Sequence, residues 1–344
     1  MENMNNKFII VGEQSSESTE HISRPALNFW QEAWRRLRLN KVAVISMWVI
    51  VATIVFAIGS SFAVSQSSAN NFDPNKTTTY RNLPPKLGDL NIPGWNGVFT
   101  TPGNVGSSNV YQEQKVPSGT SYVLGTDTLG RSVAKRVVIG LRISLIIAFV
   151  ATLLDVVIGV AYGIISGWVG GRVDSAMQRV IEILSTIPNI IIITLLSLWL
   201  GQGIFSIILA MGLFSWTSMA RQIRNLVLSY KERDFILASR TMGVSPFRIA
   251  IRHLIPNLSG IIIVQVMMTI PSMIMYEAVL SAINLGVKPP TASLGTLIND
   301  GLTTLQFYPW QLAIPAAVLA SLSLAFVLFG DGLRDAFDPR ASED

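Results

Sequence analysis

The chain carries repeated apolar runs long enough to cross a lipid bilayer, which restricts it to very few folds. A bilayer core takes roughly 20 apolar residues per helix. Runs at about 42–64, 139–167, 181–200, 204–220, 259–283 and 310–330 meet that length. The expected fold class is an all-α polytopic membrane protein with six transmembrane helices. Composition agrees: 14% of the 344 residues are charged and half are hydrophobic, whereas a soluble domain carries about 25% charged residues.

Between the runs the sequence changes character. Residues 1–27 are polar without an early apolar segment, so they read as a disordered cytosolic tail, and the first span is the targeting signal. In "NFWQEAWRRLRLNK" (28–41), Phe29, Trp30, Trp34 and Leu37 recur at helical spacing beside Arg35, Arg36 and Arg38. This predicts an interfacial amphipathic helix on anionic lipid. Residues 65–135, rich in Asn, Thr, Gly, Pro and Ser, predict an extracellular loop or cap of short strands and turns. The core is expected over 136–331, with a cytosolic loop at 221–257 and a cytosolic tail at 332–344. Arginine and lysine are concentrated in 35–41, 172–179, 221–252 and 334–340, which places both termini inside a cell membrane by the positive-inside rule. Arg131, Lys135 and Arg136 fall outside, at the end of a long loop where the rule weakens.

The reactive inventory is thin. Cysteine is absent, and histidine occurs only at His21 and His253. Thiol chemistry, a histidine metal site and a Ser-His-Asp triad are therefore not expected, and no catalytic or metal-ligating residue is assigned. No Gly-Lys dipeptide occurs, so there is no Walker A loop and nucleotide must be bound in trans. The net charge of +5 is spread over loops; it fits membrane lipid as a partner and not nucleic acid.

One polar stretch between spans is unusually punctuated: "ASRTMGVSPFRIAIRHLIPN", 238–257. A helix continuing from the fourth span is expected to run to about Met242. Gly243 then supplies left-handed backbone angles, a common helix stop. Ser245 is expected to cap a second helix with Pro246 at its first position. Phe247, Ile251 and Leu254 should share one face, Arg248 and Arg252 another, and Pro256 should end this helix. The result is a rigid cytosolic elbow, suited to transmitting position.

Ala238-Ser239, Gly243 and Leu254-Ile255-Pro256 resemble the EAA loop of ABC-importer permeases, with Leu237 where glutamate is usual. "RHLIPN" is similar to the dipeptide/oligopeptide/nickel branch. "LGTDTLGRS" (124–132) resembles that branch's LGTDxxGRD signature, with Ser132 for aspartate. "YGIISGWVGGRVD" (162–174) resembles its glycine turn and arginine–aspartate pair. "YEAVLSAINLGVKPPTASLG" (276–295) resembles EAxLSFLGLGxxPPxPSWG, departing at Ala282-Ile283 and Leu294, and "DGLRDAFDPR" (331–340) resembles the C-terminal signature. The chain is most like the C-type permease of an oligopeptide importer. The resemblance implies a type I ABC importer permease, with no cofactor of its own and ATP and Mg on partner subunits. It implies a homologous B-type permease, two ABC ATPases and an extracellular peptide-binding protein as partners. The ATPase-coupling surface would comprise Ala238, Ser239, Arg240, Thr241, Met242, Gly243, Val244, Ser245, Pro246, Phe247, Arg248 and Arg252.

Asp155 and Glu277 lie within apolar runs, where a carboxylate at mid-helix costs about 2.5–3.5 kcal/mol to insert. Each either lines the translocation path or makes a structural hydrogen bond. Gln265 reads as a helix–helix contact, and Gly159, Gly163 and Gly167 as a close-packing stripe. Glu182 should pair with a basic loop residue. A nickel or dipeptide permease of the same branch is the nearest alternative. An ATP-independent secondary transporter would show paired internal repeats.

Overall fold

A computed structural model describes residues 29–70, 74–88, 90, 92–100 and 108–338. The expected disordered tail at 1–27 lies outside the described residues. The described residues run from α1 (Phe29–Leu39) and α2 (Lys41–Gly59) into a cap built from α3 (Gln66–Asn70), α4 (Pro74–Tyr80), β1 (Val98–Phe99), β2 (Ser108–Asn109) and α5 (Val110–Glu113). There follow α6 (Val133–Val169), α7 (Gly171–Thr186), α8 (Asn189–Leu200), α9 (Ile204–Lys231), α10 (Asp234–Thr241) and α11 (Pro246–Ile249). A π-helical turn (Ala250–Leu254) leads into α12 (Ile255–Ala282), and α13 (Leu294–Thr304) and α14 (Trp310–Phe337) complete the order.

Five helical stretches are long and apolar enough to cross a membrane: α2, α6, α9, the run Pro246–Ala282 and α14. The third expected span, 181–200, is not one straight helix. It is divided between α7 and α8, which meet at 80°, and counts as a sixth span only if the bent pair is taken together. Ile187 is extended at φ −82, ψ 127, immediately before Pro188. Proline disfavours helical angles in the residue before it, so the helix must stop there.

The bundle is held by close backbone approach. A Cβ at Gly163 would lie 2.6 Å from the Ala220 carbonyl oxygen, and one at Gly159 would lie 2.7 Å from the Met219 side chain. Only glycine lets α6 and α9 come this near. A large core gathers Ile147, Ala148 and Ala151 of α6 with Ile270 and Ile274 of α12 and Leu322 and Phe326 of α14. Large aliphatic side chains elsewhere on the spans, Leu153, Val157 and Ile165 among them, point outward. This inversion of soluble-protein patterning suits lipid as solvent.

Helix α14 continues to Phe337, past the 330 limit expected, so residues 332–337 are helix and not tail. The reason is tertiary: α1 docks on this end. Trp30 meets Phe337 edge-on at 5.6 Å, and Arg36 Nη1 donates to the Asp338 carbonyl at 3.0 Å. Leu37 is buried with Ala43, Leu333 and Ala336. The helix expected merely to lie on lipid is thus half protein-bound, while Trp34 stays exposed under Arg38.

The cap also carries more helix than expected, because α14 gives it a floor. Phe99 packs edge-on against Trp310 at 4.7 Å. Leu83 and Tyr111 are buried, and the Tyr111 hydroxyl donates to the Pro84 carbonyl at 3.0 Å. Burial pushes the Tyr111 phenol up to about 12.

Candidate functional site

The elbow forms, but by a different route from the one expected. α9 does not run on to Met242; it ends at Lys231, whose Nζ donates to the Trp168 carbonyl at 2.6 Å. The chain turns at Glu232–Arg233, and α10 folds back to bury Ile236 completely. A straight continuation would have left that isoleucine in water. Gly243 then closes α10 at φ +76, with its N–H donating to the Arg240 carbonyl and the Val244 N–H reaching back to the Ser239 carbonyl. These are the paired bonds of a Schellman stop.

Pro246 opens α11, as its missing N–H permits. Ser245 is extended before it but makes no side-chain cap. Pro256 does not end the second arm. Helix passes through it, because the preceding π turn carries Ile255 N–H to the Ala250 carbonyl, five residues back. That wider turn accommodates a proline that lacks its own N–H. It also shifts the faces: Leu254 is fully buried with Ile249, whereas Phe247 is 76% and Ile251 50% exposed. The three do not share one face.

Ile236, Ile249 and Leu254 join Ile164, Ile223, Val227 and Leu258 in a second core. The elbow is therefore packed onto the ends of α6, α9 and α12. Its tip is left open: Met242 is 74% exposed, and Ala238, Arg240, Thr241, Arg248 and Arg252 are exposed too. His253 is half-buried, its ring 6.4 Å from that of Phe235.

The signature after the second span is wired differently from its sequence order. Asp174 pairs not with Arg172 but with Arg224 of α9, accepting from Nε at 2.6 Å and Nη2 at 2.5 Å. Such a fork is among the stronger ion pairs. Glu182 pairs with Arg179 at 2.8 Å, both exposed.

At the cap end sits a polar junction that sequence reasoning missed. Asp127 accepts from Arg131 Nε at 2.7 Å and Arg136 Nη1 at 2.9 Å, and Arg136 also reaches Asp300 of α13 at 3.1 Å. Of the three basic residues that the charge rule did not accommodate, Arg131 and Arg136 are thus paired with carboxylates. Ser132, where the signature has aspartate, is N-cap of α6. Gln311 of α14 donates to Asn82 Oδ1 and the Thr126 carbonyl, tying the cap to the bundle. The motif "LGTDTLGRS" was a signal, but Asp300 and Gln311 are far away in sequence.

Of the three intramembrane polar groups, Glu277 is caged. Fully buried, it accepts from Ser144 at 3.0 Å, Ser281 at 2.8 Å and Ser293 at 2.6 Å, joining α6 to α12 and the start of α13. Asp155 is buried on the α6 row that includes Gly159, Gly163 and Gly167, and its Oδ1 has no hydrogen-bond partner among the described residues. Gln265 lines a cavity of about 460 Å³ with Gln222, Arg334 and Asp338. None of the three lines the separate cavity of about 200 Å³ between α8, α9 and α12, whose polar groups are Asn189, Ser215, Ser272 and Tyr276.

Comparison with known proteins agrees with this architecture. Residues 159–343 match the family described as binding-protein-dependent transport system inner membrane component. Residues 28–85 match the N-terminal TM domain of oligopeptide transport permease C. The dipeptide transport system permease protein DppC of Lactococcus lactis subsp. cremoris is 65% identical, covering 100% of both chains. The oligopeptide transport system permease protein OppC of Bacillus subtilis is 36% identical over 99% of each chain. The corresponding Escherichia coli protein is 37% identical over 96% of this chain and 99% of its own. A multi-pass helical chain with these matches belongs to the family of binding-protein-dependent transport system inner membrane components, the permeases of ABC importers.

Proposed function

We propose that this chain is the pore-forming permease subunit of an ATP-driven importer of short peptides. It would pair with a homologous second permease, two ATPase subunits that bind ATP and Mg, and an external peptide-binding protein. The observation that carries the reading is the elbow: an exposed tip of Met242, Phe247, Arg248 and Arg252 stands on a buried base of Ile236, Ile249 and Leu254. A partner pushing on that tip moves α6, α9 and α12 together, because the base is packed and not tethered. ATP-driven closure of the ATPases would act on Ala238–Arg252, and loaded binding protein outside would bias that closure in return.

The cargo reading rests on relatives named for dipeptide and oligopeptide transport. The cavity between α8, α9 and α12 is walled mainly by Ile193, Met211, Phe214 and Met273, and Asn189, Ser215, Ser272 and Tyr276 add amide and hydroxyl groups suited to a peptide backbone. In this reading both termini and the elbow are cytoplasmic and the cap is external. The cysteine-free sequence makes the topology directly testable: Thr120→Cys should react with an impermeant maleimide from outside and Thr241→Cys only after lysis.

The central test is uptake by the reconstituted importer. Arg248→Glu combined with Gly243→Leu should leave ATPase subunits hydrolysing ATP without peptide uptake. Uptake at the wild-type rate would refute the elbow's role. Removing cap residues 75–118 should lower uptake while ATPase binding persists.

A further inference from the structure

Two of the cavities lie between the same pair of helices. The one of about 200 Å³ takes Ser215 from α9 with Ser272 and Tyr276 from α12. The one of about 460 Å³ takes Gln222 and Leu226 from α9 with Ile261, Gln265 and Met268 from α12. As α9 advances from 215 to 222, α12 falls back from 272 to 265, so the two helices are antiparallel here. The cavities are therefore stacked, about 10 Å apart along α9 at its rise of about 1.5 Å per residue. The larger is the lower chamber, at the elbow end.

The helix faces that join them are polar. Ser215, Ser218 and Gln222 recur at three- and four-residue spacing on α9, as Gln265, Thr269, Ser272 and Tyr276 do on α12. Residues so spaced share one side of a helix. Five of these seven line one chamber or the other, and between the chambers Ser218 is exposed and Thr269 half-buried. Polar side chains within a membrane span face protein or water, not lipid.

The lower chamber ends on a charge. Arg334 of α14 lines it and has no carboxylate partner among the described residues. Gln222 and Gln265 make no side-chain hydrogen bond among those residues either. Three polar side chains from three helices thus converge on one cavity with their bonding capacity unused. A cation in the last turn of α14 also suits the helix dipole, but that accounts for the arginine and not for the two amides. The rest of the lining is apolar except for Asp338, whose charge offsets that of Arg334. A wall whose formal charges cancel does not draw in a phosphate. One cation, one anion, two amides and an apolar flank match a zwitterion with amide groups and small side chains. The volume lies within the roughly 300–1,000 Å³ of sites that hold small organic ligands.

We propose that the lower chamber binds a short peptide, with Arg334 paired to its free carboxylate and Gln222 and Gln265 to its backbone amides. A guanidinium offers a carboxylate two parallel bonds, which fixes the orientation of that end. The chamber is then a second station below the one at Ser215 and Ser272, and the path through this chain itself selects a free C-terminus. The inference rests on the peptide-permease reading and adds a recognition element to it. The competing occupant is a helix of a second permease laid in the crevice, which would leave the chamber dry.

The experiment uses the whole importer in nanodiscs without nucleotide, its partner subunits made cysteine-free, and dialanine as the probe. This chain has no cysteine, so Val264→Cys puts a single thiol in the chamber wall, and its reaction with a water-soluble maleimide is timed. That thiol should react faster than one at Leu153→Cys, which is on an exposed apolar face of α6. Dialanine at ten times its half-saturating concentration should slow the reaction about tenfold, and the C-terminal amide of dialanine should not. Arg334→Gln should abolish the protection, and Arg334→Lys, which keeps the charge, should retain part of it. A thiol no faster than that at Leu153→Cys, equal protection by the amide, or protection that survives Arg334→Gln overturns the proposal. Uptake of dialanine by the same importer separates the two readings: uptake without protection overturns the chamber alone, and neither uptake nor protection overturns the peptide reading with it.

Discussion

The elbow and the cap junction lie at opposite ends of α6, and they hold their shape by different physics. The elbow is short-range. Gly243 and Pro246 set its turn, and three buried aliphatics fix it to the bundle. The cap junction is polar and partly long-range: Asp127, Arg131 and Arg136 lie within ten residues, and Asp300 and Gln311 come from two distant places in the chain. An end built from local backbone signals and aliphatic burial can leave its tip open. An end built from charge pairing must keep every member in place, since a lone buried charge is far more costly than a lone exposed methyl.

The sharpest way to break this contrast is Asp127→Ala. It strips Arg131 of its carboxylate and leaves the buried Arg136 only Asp300, so a loss of about 1.5–3 kcal/mol is expected. Melting of the purified complex and proteolysis of the cap report it; an unshifted melting point would make the junction ornamental. Glu277→Ala comes next, because Ser144, Ser281 and Ser293 lose their shared acceptor. The expected cost is about 1–3 kcal/mol, with Glu277→Gln recovering part of it by the same melting assay.

Gly243→Ala strains the elbow without any clash, since nothing lies within 4 Å of the added Cβ. The left-handed angle alone sets the penalty, about 1–2 kcal/mol. Hydrogen exchange should show it as faster opening of 234–244 with the cap unchanged; faster exchange in the cap instead would mean the two ends are not independent.

The cap should also respond to alkali. The Tyr111 phenol is raised from 10.0 to about 12 by burial, so its stabilisation is complete below pH 10 and lost as pH rises through about 12. Tyr111→Phe should remove that part of the alkaline transition, as measured by cap proteolysis against pH. The smallest effect belongs to Ser245→Ala. Ser245 makes no side-chain cap bond, so a shift within about 0.5 kcal/mol is expected, and a larger one would reveal a cap bond that forms only in the working complex.

The apolar runs alone determined that this chain is a multi-pass helical membrane protein, because bilayer thickness reads directly as run length. Gly243, Pro246 and the Gly159–Gly163–Gly167 stripe were equally legible, since each acts through its own backbone or missing side chain. Tertiary structure decided the rest. Pro256 reads as a stop, yet the helix runs through it because the preceding turn widens. The order Arg172–Asp174 suggests a local pair, yet Asp174 takes Arg224, which α6–α9 packing brings alongside. Phe247, Ile251 and Leu254 lose their common face to that same wide turn. Glu277 and Asp155 look alike in sequence, and only their neighbours separate a caged carboxylate from one whose Oδ1 lacks a partner among the described residues. A residue that acts through its own φ angle or bulk announces itself in the sequence; one that acts through a partner far along the chain waits for the fold to bring that partner near.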